Sequence, residues 1–134
     1  FVKRAEEKTF LILDAGMNDL VRPAMYDAYH RIVPVKAPNP DAPLMPVDIV
    51  GPVCETGDTF AQARPMPPVE QGDFLAILSA GAYSSSMASM YNARPLAPEV
   101  MVHGDRFAIT RRRPSIEDMT ALEIAPAWSS EAKA

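Results

Sequence analysis

The chain has 134 residues, of which 48% are hydrophobic and 22% are charged, and its formal net charge at pH 7 is −4. This length supports one domain with a real core, and the composition excludes a disordered tail or a coiled coil. No apolar run approaches the roughly 18 residues of a membrane span. The acidic balance gives no support to nucleic-acid binding.

The single cysteine, Cys54, has no second cysteine with which to form an internal disulfide. This favours a reducing, cytoplasmic setting. The first eight residues also lack the apolar segment of a signal peptide. The chain starts at Phe1 rather than at a methionine and runs almost directly into an apolar stretch, which indicates a part of a larger protein.

Proline is unusually frequent, with 14 residues, about twice the average usage of roughly 5%. The prolines fall between apolar runs rather than in one low-complexity tract. This distribution predicts short elements joined by rigid turns, which suits a β-rich fold.

The first half of the chain predicts four strands and one short helix. The strands are predicted at 9–14, 30–35, 45–53 and 59–64. A short helix is predicted within 20–29, with Pro23 at a first helical position and Arg22 just before it. This placement lets Arg22 and Tyr26 converge on one point. The same spacing also fits a surface arginine and core aromatic residues.

The second half predicts three strands and two helices. The strands are expected at 73–78, 99–103 and 106–110, and the helices at 84–92 and from about 115 to 123. Residues 73–78 carry the strongest signal for a buried strand. Ser84 or Ser85 is predicted to cap the first of these helices. Ser115 and Asp118 have the spacing of a capping box at the start of the second.

Six or seven short strands with two or three small helices predict a mainly β domain, a sandwich or an open barrel. We expect one domain over 1–134, with a core at about 10–123 and a frayed tail at 124–134. No metal site is predicted, since His30 and His103 lie far apart and neither has a companion at ligand spacing.

The turn at 51–58, Gly-Pro-Val-Cys-Glu-Thr-Gly-Asp, is the stretch most suited to chemistry. Glycine and proline restrict its backbone, so Cys54, Glu55 and Asp58 are expected in a fixed arrangement. The residues alone leave two interpretations open. Cys54 is either functional or a buried structural thiol, and Asp58 fits an acid that stabilises the turn.

Three stretches, 14–30, 51–58 and 81–92, resemble in order and spacing the C-terminal part of the diaminopimelate decarboxylase family. This family belongs to the alanine-racemase-like, fold-type III pyridoxal-phosphate enzymes, and the resemblance covers about 10–123. It implies a C-terminal β-sandwich or Greek-key domain without the (β/α)8 barrel. It also implies that the intact protein converts meso-2,6-diaminopimelate to L-lysine and CO2.

The resemblance also implies roles for individual residues. Arg22 and Tyr26 match the contacts to a substrate carboxylate, and Glu55 matches the residue that binds the distal ammonium. Cys54 matches a catalytic acid offered across a homodimer, and Tyr83 matches a tyrosine that lies against the cofactor. Asp58, like Asp14, Asn18 and Asn92, is expected to be structural.

The implied cofactor is pyridoxal 5'-phosphate, and the implied partners are the barrel of the same protein, a second subunit and a small-molecule substrate. None of the four lysines of the chain fits the role of the lysine that holds the cofactor. These four are Lys3, Lys8, Lys36 and Lys133. The chain alone is therefore expected to be inactive. Two alternatives remain: a relative acting on another basic amino acid, or a non-catalytic β-sandwich assembly module. Glu55 after the cysteine, where ornithine-type relatives have aspartate, favours the longer dicarboxylic substrate.

Overall fold

The computed structural model describes residues 1–128. The expected class, mainly β with a few short helices, is confirmed, and the described strands form three sheets without a closed barrel. The chain divides into two compact units, residues 1–94 and a second that begins at Pro95. One domain over 1–134 stays a prediction. Residues 129–134 of the predicted frayed tail lie outside the described residues.

The first unit contains six strands and two short α-helices. They are β1 (Val2–Arg4), β2 (Thr9–Ile12), α1 (Arg22–Tyr26), β3 (Ile32–Pro34), β4 (Met45–Val50), β5 (Thr59–Met66), β6 (Leu75–Ile77) and α2 (Ser84–Met87), followed by a 3₁₀ turn at Tyr91–Ala93. Four strands form one sheet in the order β1-β2-β4-β5, in which only β2 and β4 run parallel. β3 and β6 form a separate antiparallel pair.

The core lies on the four-stranded sheet and reaches the β3–β6 pair. Its buried members come from β2, β3, β4, β5 and the loop before α1: Leu11, Leu20, Ile32, Val47, Ile49, Phe60, Ala61 and Met66. Ile49 of β4 is completely buried, and Leu75 and Ile77 of β6 pack against the cluster. The apolar residues of short strands therefore meet in one cluster, whose burial is the main stabilising contribution.

One predicted strand is weaker than its sequence indicates. Residues 73–78 were expected to be a buried strand, but β6 covers only three of them and is half-buried. Phe74 is 79% exposed. Within the described residues β6 pairs with β3 alone, so the apolar run is not enclosed by strands on both sides.

An acidic side chain fastens an irregular part of the main sheet. The pairing of β4 with β5 shifts register on both sides of Ile49, and Ala63 has a left-handed φ of 45°. Oδ1 of Asp48 accepts the Ala63 N–H at 2.7 Å, and Oδ2 lies 2.9 Å from Nζ of Lys8. The Ala63 N–H, and after it Lys8, hold the pKa of Asp48 below its ordinary value.

The second unit contains a hairpin formed by the two strands predicted at 99–103 and 106–110, and the predicted cap. β7 (Glu99–His103) pairs antiparallel with β8 (Arg106–Arg111), and α3 spans Ile116–Thr120. Ser115 Oγ accepts the Asp118 N–H at 3.2 Å, and Asp118 Oδ2 accepts the Ser115 N–H at 2.7 Å. This reciprocal pair confirms the capping box.

The hairpin carries one continuous apolar face. Val100 lies opposite Ile109, and Val102 lies opposite Phe107. Side chains two positions apart on a strand point to the same face, so these four share one side. All four are more than half exposed.

Two arginines of the run at 111–113 make ion pairs. Arg111 lies 3.2 Å from Glu99, and Arg112 forms a two-pronged pair with Asp118. The Arg112 guanidinium, and after it the Ser115 N–H, hold the pKa of Asp118 well below its ordinary value. Within residues 1–128, none of the helices has the length and apolar character that crossing a membrane would require.

The Asp48 contacts predict a pH-dependent contribution to stability. Because its folded-state pKa is lowered, Asp48 stabilises the fold above its unfolded pKa of about 3.9, and this contribution is lost as pH falls through the folded value. Asp48→Asn should lower the free energy of unfolding of the full-length protein by about 1 kcal/mol at pH 7. The difference from the wild type should shrink below about pH 4.

Urea unfolding at pH 7 and at pH 3 measures this difference. Asp41→Asn, in the exposed loop before β4, is the matched control and should change neither value. An Asp48→Asn difference of the same size at both pH values would contradict the assignment.

Candidate active site

The loop at 14–20, between β2 and α1, lies at the centre of the site. Oδ2 of Asp19 accepts the Gly16 N–H at 2.9 Å, and the carbonyl of Gly16 accepts the N–H groups of Asp19 and Leu20. The Leu20 side chain is buried in the core. The loop is therefore a closed turn anchored to the fold, and the other parts of the site are attached to it.

Asp58 attaches the turn at 51–58 to this loop. Its side chain is buried; Oδ1 accepts the Met17 N–H at 2.6 Å and Oδ2 accepts the Val53 N–H at 2.7 Å. A Cβ added to Gly51 would come within 2.2–2.5 Å of this carboxylate. Gly51 therefore leaves the space that Asp58 occupies, and the structural role predicted for Asp58 is confirmed.

Cys54 and Glu55 lie at the exposed tip of the same turn. The interpretation of Cys54 as a buried structural thiol is wrong, because Cys54 is exposed. Oε1 of Glu55 accepts the Gly57 N–H at 3.1 Å and the Thr56 hydroxyl at 3.3 Å. These two bonds engage Oε1 and hold the exposed carboxylate at the tip of the turn.

Arg22 lies inside α1 rather than before it. The prediction relied on the extended preference of a residue that precedes proline, but Val21 already has helical φ/ψ and Arg22 is the first helical residue. Pro23 still occupies a first-turn position, where its missing N–H removes no helical hydrogen bond.

Tyr83 precedes α2 in a left-handed conformation, with φ 65°. The helix begins at Ser84 and ends at Met87, short of the predicted 84–92. Its N-terminus carries no side-chain cap, so the predicted cap at Ser84 or Ser85 is wrong. The Ser84 hydroxyl instead donates to the carbonyl of Asp19 at 3.1 Å, because a tertiary contact takes the group that a local cap would need.

The structure places Arg22 beside Tyr83. Cζ of Arg22 lies 5.5 Å from the centroid of the Tyr83 ring, within the range of a cation–π contact. Tyr26 lines a groove of about 890 Å³ between α1 and β5. Thr56 and Gly57 of the 51–58 turn line the same groove, and Arg22 is not among its lining residues.

Arg94 is a residue of the site that sequence reasoning missed. Its Nε donates to Oδ1 of the buried Asn18 at 2.9 Å, and its Nη2 donates to the carbonyl of Asp14. The bond to Asn18 spans 76 positions, so no local pattern could have indicated it. Asn18 has the structural role that was predicted for it.

The described residues fit one wall of a cofactor site but not its covalent anchor. Lys8 is paired with Asp48, and Lys3 and Lys36 are exposed on other parts of the unit; Lys133 lies outside the described residues. Tyr83 presents an exposed ring beside a guanidinium. Within residues 1–128, no group of three or more His, Cys, Asp or Glu side chains is placed to hold a metal ion.

Comparison with known proteins identifies the class. The family described as pyridoxal-dependent decarboxylase, C-terminal sheet domain, matches residues 1–81. This match covers more than half of the chain, which therefore belongs to that family. The three-sheet architecture agrees with this class.

Individual relatives are named more specifically. The chain is 53% identical over 127 residues to the diaminopimelate decarboxylase of Zymomonas mobilis, a match that covers 95% of this chain and 30% of that protein. It is also similar to two solved diaminopimelate decarboxylases with L-lysine. The M. jannaschii structure has a TM-score of 0.86 at 40% identity, covering 94% of this chain and 28% of that one. The Helicobacter pylori structure has a TM-score of 0.81 at 44% identity, covering 92% and 29%. The chain thus spans about 30% of the length of these relatives.

The packing around Asp58 predicts a sharp difference between two glycines of one turn. Gly51→Ala must displace the buried carboxylate, and should lower the free energy of unfolding of the full-length protein by about 1–3 kcal/mol. Gly57→Ala is the matched control, because its added Cβ would meet nothing closer than 3.6 Å. Thermal unfolding of both variants measures the difference, and equal stability for the two would contradict this account of the turn.

Proposed function

We propose that the chain is the C-terminal sheet domain of a diaminopimelate decarboxylase, which converts meso-2,6-diaminopimelate to L-lysine and CO2. The observation that carries this proposal is that the loop at 14–20 holds two sequence-distant stretches, the turn at 51–58 and the segment from Tyr83 to Arg94. Asp58 attaches the Cys54 turn to the loop at 14–20, and Ser84 and Arg94 attach the Tyr83 segment to it. The names of the relatives and their complexes with L-lysine support the same substrate and product.

The cofactor of this reaction is pyridoxal 5'-phosphate, which when bound supplies the electron sink that decarboxylation requires. In our proposal the lysine that holds it lies in a barrel domain outside residues 1–134. Tyr83 contributes from this chain. Its exposed aromatic ring can lie against a planar cofactor ring, and its left-handed backbone fixes the direction in which the ring points.

Arg22 binds the carboxylate at the end of the substrate that does not react. A guanidinium presents a planar fork of donors that matches a carboxylate in two-pronged geometry. The Tyr83 ring beside it limits the directions that the long Arg22 side chain can take. The phenol of Tyr26 adds a directional hydrogen bond from the adjoining groove. A substrate without a distal carboxylate would have no use for Arg22, which disfavours an amino acid such as ornithine.

Cys54 is the acid that returns a proton to the carbon that has lost CO2. Its Sγ–H donates that proton, and the resulting thiolate is protonated again from solvent after product leaves. Glu55 binds the distal ammonium through Oε2, while Oε1 remains bonded to its own turn. The carboxylate and ammonium contacts together orient the substrate, which is how positioned side chains lower the barrier of a later step.

The exposure of the turn supports a contribution across a homodimer. Cys54 and Glu55 lie at an exposed tip, whereas the residues that hold the turn are buried. An active site must exclude water when its proton is transferred. We therefore infer that protein outside this chain covers the tip, and that it belongs to the barrel of a second subunit.

The role of Cys54 predicts a selective loss of turnover. In the full-length protein Cys54→Ala should lower kcat at least about a hundredfold, in line with the removal of a general acid. The visible absorbance of bound pyridoxal phosphate should stay unchanged. Thr56→Ser is the matched control in the same turn and should keep nearly full turnover. Wild-type turnover in Cys54→Ala would remove the assigned role.

The role of Glu55 predicts a change in selectivity. Glu55→Asp withdraws the carboxylate by one methylene, and should lower kcat/KM for meso-diaminopimelate about tenfold through loss of a charge-assisted contact. Steady-state assays with diaminopimelate, ornithine and arginine measure this, with Glu7→Asp as a control on an exposed residue outside the site. Preference of the wild type for ornithine or arginine would overturn the proposed substrate.

A further inference from the structure

We propose that Arg94 is a positioning residue for the carboxylate subsite, which it organises without contacting the substrate. The inference rests on the proposed function, because it concerns how Arg22 and Tyr83 are held in position relative to each other. The side chain of Arg94 contacts residues of the loop at 14–20. It therefore acts on the subsite through that loop.

Three groups of the loop share the guanidinium of Arg94. Nε donates to Oδ1 of Asn18 at 2.9 Å, and Nη2 donates to the carbonyl of Asp14. Nη2 also lies 3.8 Å from Oδ2 of Asp19. The Arg94 side chain is 30% exposed and its bond to Asn18 is partly buried, so solvent competes weakly for that bond. Lysine, with a single ammonium, could not reproduce this planar arrangement.

The segment that runs from Tyr83 to Arg94 is attached to the loop at both ends and in the middle. Ser84 Oγ donates to the carbonyl of Asp19 at 3.1 Å, next to Tyr83. The Ser89 N–H donates to the carbonyl of Asn18 at 2.9 Å. Arg94 closes the far end. Because the loop leads directly into α1, these attachments set where Tyr83 lies relative to Arg22.

The backbone before Arg94 is consistent with this role. Asn92 and Ala93 both have left-handed conformations, with φ of 60° and 56°. This region is unfavourable for alanine and persists where the surrounding contacts determine it. Here the contacts that determine the conformation are those of Arg94, the next residue along the chain.

Asn18 makes the arrangement sensitive to Arg94. Asn18 is 2% exposed, and its Nδ2 has no hydrogen-bond partner within residues 1–128. Its side-chain oxygen is bonded to Arg94. A Cβ on Gly16 would come within 2.8 Å of that oxygen, so glycine at this position leaves the space that the Asn18 oxygen occupies. Without Arg94 the buried carboxamide loses its side-chain partner, and such groups favour rearrangement.

The test compares two inhibitors of the full-length holoenzyme. L-Lysine keeps the carboxylate that Arg22 is proposed to bind, whereas 1,5-diaminopentane has the same chain without it. Arg94→Met should raise the inhibition constant of L-lysine about tenfold or more, because the subsite loses its geometry. The constant for 1,5-diaminopentane should change less than about twofold, since only an interaction with the missing carboxylate is affected. Arg94→Lys should give an intermediate value for L-lysine and serves if Arg94→Met does not fold.

Arg22→Met separates the inference from the proposed function. This variant should also raise the inhibition constant of L-lysine selectively. The double variant, Arg22→Met with Arg94→Met, should bind L-lysine no more weakly than Arg22→Met alone, because the two residues act on one contact. An unchanged L-lysine constant in Arg22→Met would overturn the proposed function. The role of Arg94 would be overturned if Arg22→Met weakened the binding of L-lysine selectively while the Arg94 variants weakened neither inhibitor, or both equally. Arg31→Met, a change of an exposed arginine in the same unit, should leave both constants unchanged.

Discussion

The buried carboxylate of Asp58 is the constraint on which the rest of the site depends. A carboxylate removed from water is unfavourable unless its oxygens are bonded. Here each oxygen accepts one backbone N–H, from Met17 and from Val53, at 2.6 and 2.7 Å. Backbone donors cannot move without moving the chain. The bonds therefore fix the turn that carries Cys54 relative to the loop that leads to Arg22.

Structural and chemical tasks fall on different side chains of the same stretches. The groups that hold the arrangement, Asp58 and Asn18, are buried and bonded to backbone or to Arg94. The groups suited to chemistry, Cys54 and Tyr83, are exposed beside them. This separation explains why two acids in one turn differ so much. Glu55 is exposed and bonded through Oε1 alone, whereas Asp58 is buried with both oxygens bonded to backbone N–H groups.

The exposure of these groups also explains why the arrangement is one wall of a site rather than a whole one. Tyr26 and Tyr83 are each about 60% exposed, and a reaction that transfers a proton to carbon needs a setting from which water is excluded. The chain spans about 30% of the length of its relatives. Closure by protein outside these residues accounts for both observations. In this account the domain contributes positioned side chains to a site that another domain completes.

The sequence by itself determined the features that depend on neighbouring residues. The pairing of the strands on either side of the 51–58 turn, the hairpin around Gly104 and the cap at Ser115 all follow from local patterns and are present. Three matching stretches were enough to indicate the family. Cys54 and Glu55 could be proposed as site residues because they share one short turn.

Only the tertiary structure decided what depends on contacts between distant residues. It moved Arg22 into α1 and against Tyr83, diverted the Ser84 hydroxyl from a cap to Asp19, and made Arg94 part of the site. For Ser84, a long-range hydrogen bond replaces a local capping preference of about 1 kcal/mol. Such contacts leave no periodicity in the sequence, because their partners are brought together only when the sheets pack.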